Sequence, residues 1–123
     1  MKNNFFDFGR IIRALSFSGK GLFYVLKTEA AFAQDLLLFA VGTMIAFCFN
    51  FDAILRILMI FSLFLVILME LINTAIEVII DRISLKKNPL SGHAKDIGSA
   101  LVLLAILNVV FIWGYAVFTF LKN

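Results

Sequence analysis

Residues 53–80 read AILRILMIFSLFLVILMELINTAIEVII, an apolar run whose charged and amide interruptions are Arg56, Glu70, Asn73 and Glu77. A helix needs about 20 mostly apolar residues to cross a bilayer, and this run exceeds that. It is therefore read as a transmembrane helix with acids buried in it. Two further apolar stretches, Leu36–Phe51 and Ile97–Leu121, carry no charge. The first is joined to the central run by a tight Asn50-Phe51-Asp52 turn. The second is reached through a polar loop, 81–96, that holds the only proline, Pro89.

Composition agrees with three spans and excludes a water-soluble globule. The 123 residues are 63% hydrophobic and only 15% charged, with a mean hydropathy of +1.03. Soluble domains lie nearer half apolar and a quarter charged. The net charge of +3 is dispersed along the chain, which suits anionic lipid headgroups and argues against a nucleic-acid partner. A lone Cys48 excludes an intramolecular disulfide, and no Cys/His spacing suggests zinc. Cys48 reads as a small apolar packing residue.

The segment before the first span carries Lys2, Arg10, Arg13, Lys20 and Lys27 and lacks the short apolar core of a cleavable signal. Phe5, Phe8, Ile12, Leu15, Leu22, Val25, Leu26 and Ala30 recur in it at helical spacing, with basic residues between them. That pattern predicts an amphipathic helix lying in the headgroup plane, with a bend at Ser18-Gly19-Lys20-Gly21. The expected organisation is a single all-α membrane domain over 1–123. It has a surface helix at 1–35, spanning helices near 36–51, 53–80 and 97–121, and a loop at 81–96. Nine of the eleven basic residues fall in the N-terminal segment and that loop, so both are expected on the cytoplasmic side. Arg56, one turn into the second span, is expected to snorkel to the outer interface, and Trp113 to join an interfacial aromatic belt.

The chemistry is carried by Glu70, Asn73, Glu77 and Asp81. At about 100° per residue, offsets of 3, 7 and 11 from Glu70 place all four on one narrow stripe. A carboxylate in mid-membrane costs roughly 2.5–3.5 kcal/mol to insert. Two in one span point to a functional site, although an interhelical polar clamp would use the same residues. Such a stripe suits a proton or cation path, or a site for magnesium and a nucleotide. Magnesium takes one or two carboxylates together with phosphate oxygens. Glu77 and Asp81 lie toward the cytoplasmic end, and Glu70 about 10 Å deeper, where a lipid-borne group belongs. A water-soluble donor above and a lipid acceptor below would fit that division.

No phosphate-loop motif is present: Gly19-Lys20-Gly21 lacks both the upstream glycine and the following Ser/Thr. The run Ser91-Gly92-His93-Ala94-Lys95-Asp96 opens the third span, and helix starts attract phosphate, so Lys95 and Asp96 are candidate nucleotide contacts. His93 reads as a solvated loop residue. Glu29 is the one acid at the apolar end of the surface helix and could supply a second metal ligand.

At these residues the chain resembles the prokaryotic diacylglycerol kinase family. The matching stretches are Glu70–Arg82, Ser91–Ala100 and Glu29–Phe32, with weaker likeness at Arg10-Ile-Ile and Lys20-Gly-Leu. The resemblance implies direct transfer of the γ-phosphoryl group of ATP to the primary hydroxyl of diacylglycerol, in a homotrimer with sites shared between subunits at the bacterial inner membrane. It implies Glu70 as the base and Glu29 and Glu77 as magnesium ligands. Arg10, Ser18, Glu29, Asn73, Glu77, Asp81, Lys95 and Asp96 would contact ATP, and Arg10, Glu70, Ser99 and Trp113 would contact the lipid. The sequence departs from the best-known members at Ala33 and Asp35, at Lys86–Pro89 and at His93. Undecaprenol phosphorylation by the same fold is the alternative, and Gly98-Ser99-Ala100 looks more like the diacylglycerol branch. From other classes, a transporter subunit or a non-enzymatic scaffold remains, though a transporter would want a second half with matching broken helices.

Overall fold

A computed structural model describes residues 5–123; the expected start of the surface helix, residues 1–4 with Lys2, lies outside the described residues. Four helices follow in order: α1 Phe8–Thr28, α2 Ala30–Cys48, α3 Ala53–Ile83 and α4 Pro89–Lys122. The last three are each long and apolar enough to cross a membrane. Large hydrophobic side chains such as Leu37, Phe47, Ile57, Leu104 and Phe111 are exposed on them. Exposed apolar surface on this scale belongs against lipid rather than water.

The expected spans are found, with three shifts of boundary. The first concerns α1, which runs unbroken through Ser18–Gly21, where a bend was expected. Two glycines cost a helix only about 1 kcal/mol each, and Ser18 donates back to the Ala14 carbonyl at 2.9 Å without interrupting the ladder. The break comes instead at Glu29, which is extended (φ −118°, ψ 106°) and separates α1 from α2. Packing explains the position. Val25 of α1, Phe32 of α2 and Ile67 of α3 form one buried cluster, and a chain continuing straight would lose it. The first span therefore starts at Ala30 rather than 36.

The second shift is at the other end of the bundle. The polar loop shrinks to 84–88, because α4 begins at Pro89. Asn88 caps it, its Oδ1 accepting from the Leu90 N–H at 2.9 Å, and proline is preorganised for the first helical position. Ser91, His93, Lys95 and Asp96 are thus helical, and His93 is an exposed helix residue. Third, α3 extends three residues further than expected, to Ile83.

α3 is the centre of the bundle. Its buried residues, Met59, Ser62, Leu63, Val66, Ile67, Glu70 and Thr74, recur every three or four positions and make one face. Small residues let the neighbours approach that face. A side chain at Gly42 of α2 would collide with Leu63 and crowd the Trp113 ring. Ala46, Met59 and Ala116 close the far end, with Trp113 packed against them. Cys48, expected in the packing, is exposed at the end of α2.

Candidate active site

The stripe on α3 is graded in burial. Glu70 is buried at 8% exposure, Asn73 and Glu77 are half-buried, and Asp81 is exposed. The acids thus run from the protein interior to the helix end, as an acceptor site below and a donor site above would require. Neither Glu70 nor Glu77 enters an ion pair among the described residues; the two pairs formed are Arg13–Asp7 and Lys95–Asp81.

Three further carboxylates, Asp35, Glu29 and Glu77, lie near enough to Glu70 for their charge to bear on it. Two of these come from the start of α2. Glu29 is its N-terminal flanking residue, and Asp35 stands in its second turn with Oδ2 buried and unpartnered. Asp35 is the residue that sequence reasoning missed. A surface helix over 1–35 would hold it outside the membrane; with the span starting at Ala30 it is an acid inside a membrane helix, and such acids mark function. The signal was available as the only acid between Glu29 and Asn50.

At the end of the stripe, Lys95 Nζ donates to Asp81 Oδ1 at 2.7 Å, joining α4 to α3. Beside this pair opens a cleft of about 460 Å³, lined by Asp81, Ser84, Lys86, Lys87, Ser91 and Lys95. Three lysines and two hydroxyls at the mouth of a line of acids suit a polyphosphate. A larger groove of about 840 Å³ lies at the opposite end, against Phe51, Leu55, Phe111 and Phe120. Its one acid, Asp52, is occupied as the cap of α3, accepting from Ile54 N–H at 3.1 Å, so the larger space holds the lesser chemistry.

The remaining expected site residues are not gathered around Glu70 within one chain. Arg10 lies fifteen residues before Val25, where α1 meets α3, which is about 22 Å along the helix. Ser18 is about 10 Å from the same point. Both are exposed. Ser99 is exposed on α4 near the level of Asn73, next to Gly98, which faces Asn73. Asp96 is exposed in the second turn of α4. Trp113 sits far from Glu70, at the level of Ser62, and its indole N–H points into the bundle rather than to an interface, reaching Met59 O at 3.2 Å and Ser62 Oγ at 3.3 Å. Among the described residues no three acids, histidines or cysteines converge closely enough to hold a metal between them.

Comparison with known proteins places the whole chain. A family model described as prokaryotic diacylglycerol kinase matches residues 16–117. A diacylglycerol kinase of Escherichia coli K12 is 45% identical over 113 residues, covering 92% of this chain and 93% of that protein. Diacylglycerol kinases of Pseudomonas aeruginosa (39%, covering 85% of each chain) and Haemophilus influenzae (38%, covering 88% and 92%) are also similar.

Proposed function

The chain belongs to the prokaryotic diacylglycerol kinase family, and we propose that it transfers the γ-phosphoryl group of ATP to the primary hydroxyl of diacylglycerol at the cytoplasmic face of a bacterial membrane. The observation that carries this reading is the graded stripe, with a buried, unpaired Glu70 below and a lysine-lined cleft above.

Glu70 takes the proton of the lipid hydroxyl as that oxygen bonds to the γ-phosphorus. The bond from that phosphorus to the β–γ bridging oxygen breaks, and ADP leaves with its electron pair. Phosphoryl transfer asks the protein mainly for positioning and charge stabilisation, and a base for the hydroxyl adds to that. Lys95 and Asn73 donate to phosphate oxygens; Arg10, Ser18, Asp81 and Asp96 complete the nucleotide contacts. Arg10, Ser99 and the ring of Trp113 contact the lipid. The donor set suits magnesium, because Glu29 and Glu77 are hard oxygen ligands and neither is paired with a lysine or arginine among the described residues. When bound, magnesium would neutralise charge on the transferring phosphates.

One chain leaves Arg10 about 22 Å along α1 from the point where α1 reaches α3, so the site is proposed to be composite in a homotrimer. Mixing Glu70→Gln subunits with Arg10→Ala subunits should restore part of the activity that each parent lacks. No recovery in a mixture shown to have exchanged subunits would mean that each chain builds its own site. Orientation follows from the basic residues: a cysteine near Asn50 should react with an impermeant thiol reagent from outside and one at Asn88 should not, and the reverse would move the nucleotide site to the wrong side.

The deciding assay gives purified protein diacylglycerol, magnesium and labelled ATP in mixed micelles. Labelled phosphatidic acid is expected. Faster labelling of undecaprenol, or labelling of neither lipid, would overturn the reading.

A further inference from the structure

Asn73 is the one amide on the stripe, and its side chain has an unusual seat. Its Oδ1 is buried and accepts no hydrogen bond. What lies against that oxygen is the backbone of Gly98, on the neighbouring helix α4. Gly98 is itself buried. A Cβ built on Gly98 would overlap Asn73 Oδ1 and come within 3.4 Å of its Cγ, whereas its next neighbour, Ile76 Cδ1, stands at an ordinary 3.5 Å. The missing side chain therefore makes room for one group only. A glycine Cα–H against a carbonyl oxygen is a contact that recurs where helices pack closely. With its oxygen turned to α4, the Asn73 amide must direct its nitrogen, the end with two donors, away from α4.

We propose that Gly98 is a positioning residue for the phosphoryl transfer. By lacking a Cβ it fixes the rotamer of Asn73, holding the amide oxygen against α4 and presenting the N–H donors to the nucleotide. The inference rests on the reading above that Asn73 contacts ATP. α4 thus serves the site twice, through Lys95 at the cleft and, one helical turn on, through the absence of a side chain at Gly98. Any larger residue at 98 pushes the amide out of its seat, and the lost hydrogen bond falls on ATP rather than on the lipid.

The test is a double-mutant cycle of Gly98→Ala and Asn73→Ala in the full-length protein. For all four proteins, equilibrium binding of labelled ATP, kcat and both KM values, and the thermal midpoint in detergent are measured. Each single variant should lose about 10- to 100-fold in ATP affinity and in kcat/KM for ATP, the usual worth of a hydrogen bond to a charged group. The KM for diacylglycerol should not move, and the Gly98→Ala midpoint should stay at the wild-type value. The double variant should be no worse than Asn73→Ala, since without the amide there is nothing left to displace. Losses that multiply in the double variant would overturn the proposal. So would a fully active Gly98→Ala, or a Gly98→Ala loss that tracks a lowered midpoint, because α4 would then merely have been pushed away. If Gly98→Ala fails to assemble, a double variant that assembles and behaves as Asn73→Ala supports the seat, and one that also fails overturns it. An Asn73→Ala protein with wild-type ATP affinity would remove the nucleotide contact itself, and the proposal with it. A wild type that makes no phosphatidic acid would overturn the activity, while the four ATP affinities still decide the seat.

Discussion

The buried face of α3 has two halves of opposite character. From Met59 to Ile67, the one polar side chain on it, Ser62, is answered. Ser62 donates to Met59 O at 2.6 Å and accepts from Trp113. Arg56 closes the adjoining turn, donating to Ala46 O at 2.8 Å and Phe51 O at 3.1 Å while stacking over Phe47. From Glu70 to Glu77 the same face carries two carboxylates outside any ion pair among the described residues. A protein builds stability by satisfying buried polar groups. It leaves them open where a ligand will complete them, and bears the cost there. One half of the face is framework; the other waits for substrates. Thr43 on α2, whose hydroxyl is buried and unpartnered, fits neither class, and nothing in the structure explains it.

The two halves should answer substitution differently. The largest expected effect is on turnover. Glu70→Gln keeps shape and removes the base, so kcat should fall by about 10² to 10⁴ with ATP binding largely kept. Thermal stability should hold or rise, since an unpaired buried charge is costly. Turnover and a melting curve on the same preparation check both. Full activity would make the stripe a polar clamp, and loss of assembly would make Glu70 a packing residue.

The opposite signature belongs to Arg56. Arg56→Ala takes the donor away from the part-buried carbonyls of Ala46 and Phe51. Unfolding in detergent should become easier by about 1.5–3 kcal/mol. The ATP KM and the kcat per folded molecule should stay near wild type. Arg56→Lys should recover only part of the stability, because an ammonium cannot reproduce the guanidinium fork. A large loss of kcat at unchanged stability would erase the distinction between the halves.

The sequence reveals the two halves unequally. Length, hydropathy and the stripe from Glu70 to Asp81 are written in local periodicity, so the all-α membrane fold, the three spans and the graded acids could be read from it. Tertiary facts could not. The break at Glu29 has no breaker residue and comes from the Val25, Phe32 and Ile67 cluster, while the glycines at 19 and 21 break nothing. That one displaced boundary is why Asp35 went unnoticed as an intramembrane acid. Arg56 was expected to snorkel outward because its depth is legible and its partners are not; the carbonyls it caps lie five and ten residues back along the chain. The polar composition of 81–96 sets the expected α4 start too late, whereas Asn88 and Pro89 are a helix start by their capping chemistry.

The smallest predicted effect is also the most exacting test of the contrast, because Trp113 stands with a foot in both halves. Its N–H serves the framework, to Met59 and Ser62, yet its ring is proposed to meet the lipid. Trp113→Phe keeps an aromatic ring and deletes the N–H. Ser62 still donates to Met59 O, so no buried donor is stranded there. The loss should be that of an ordinary neutral hydrogen bond, about 0.5–1.5 kcal/mol of unfolding free energy, with little change in the KM for diacylglycerol. Trp113→Ala removes the ring too, and packing against Gly42 goes with it; stability should fall further, and only now should the lipid KM rise. If Trp113→Phe raises the lipid KM while the melt stays put, the indole N–H serves the substrate rather than the bundle. The framework half of the face would then end below Ser62, and the boundary between the two halves would have to be redrawn there.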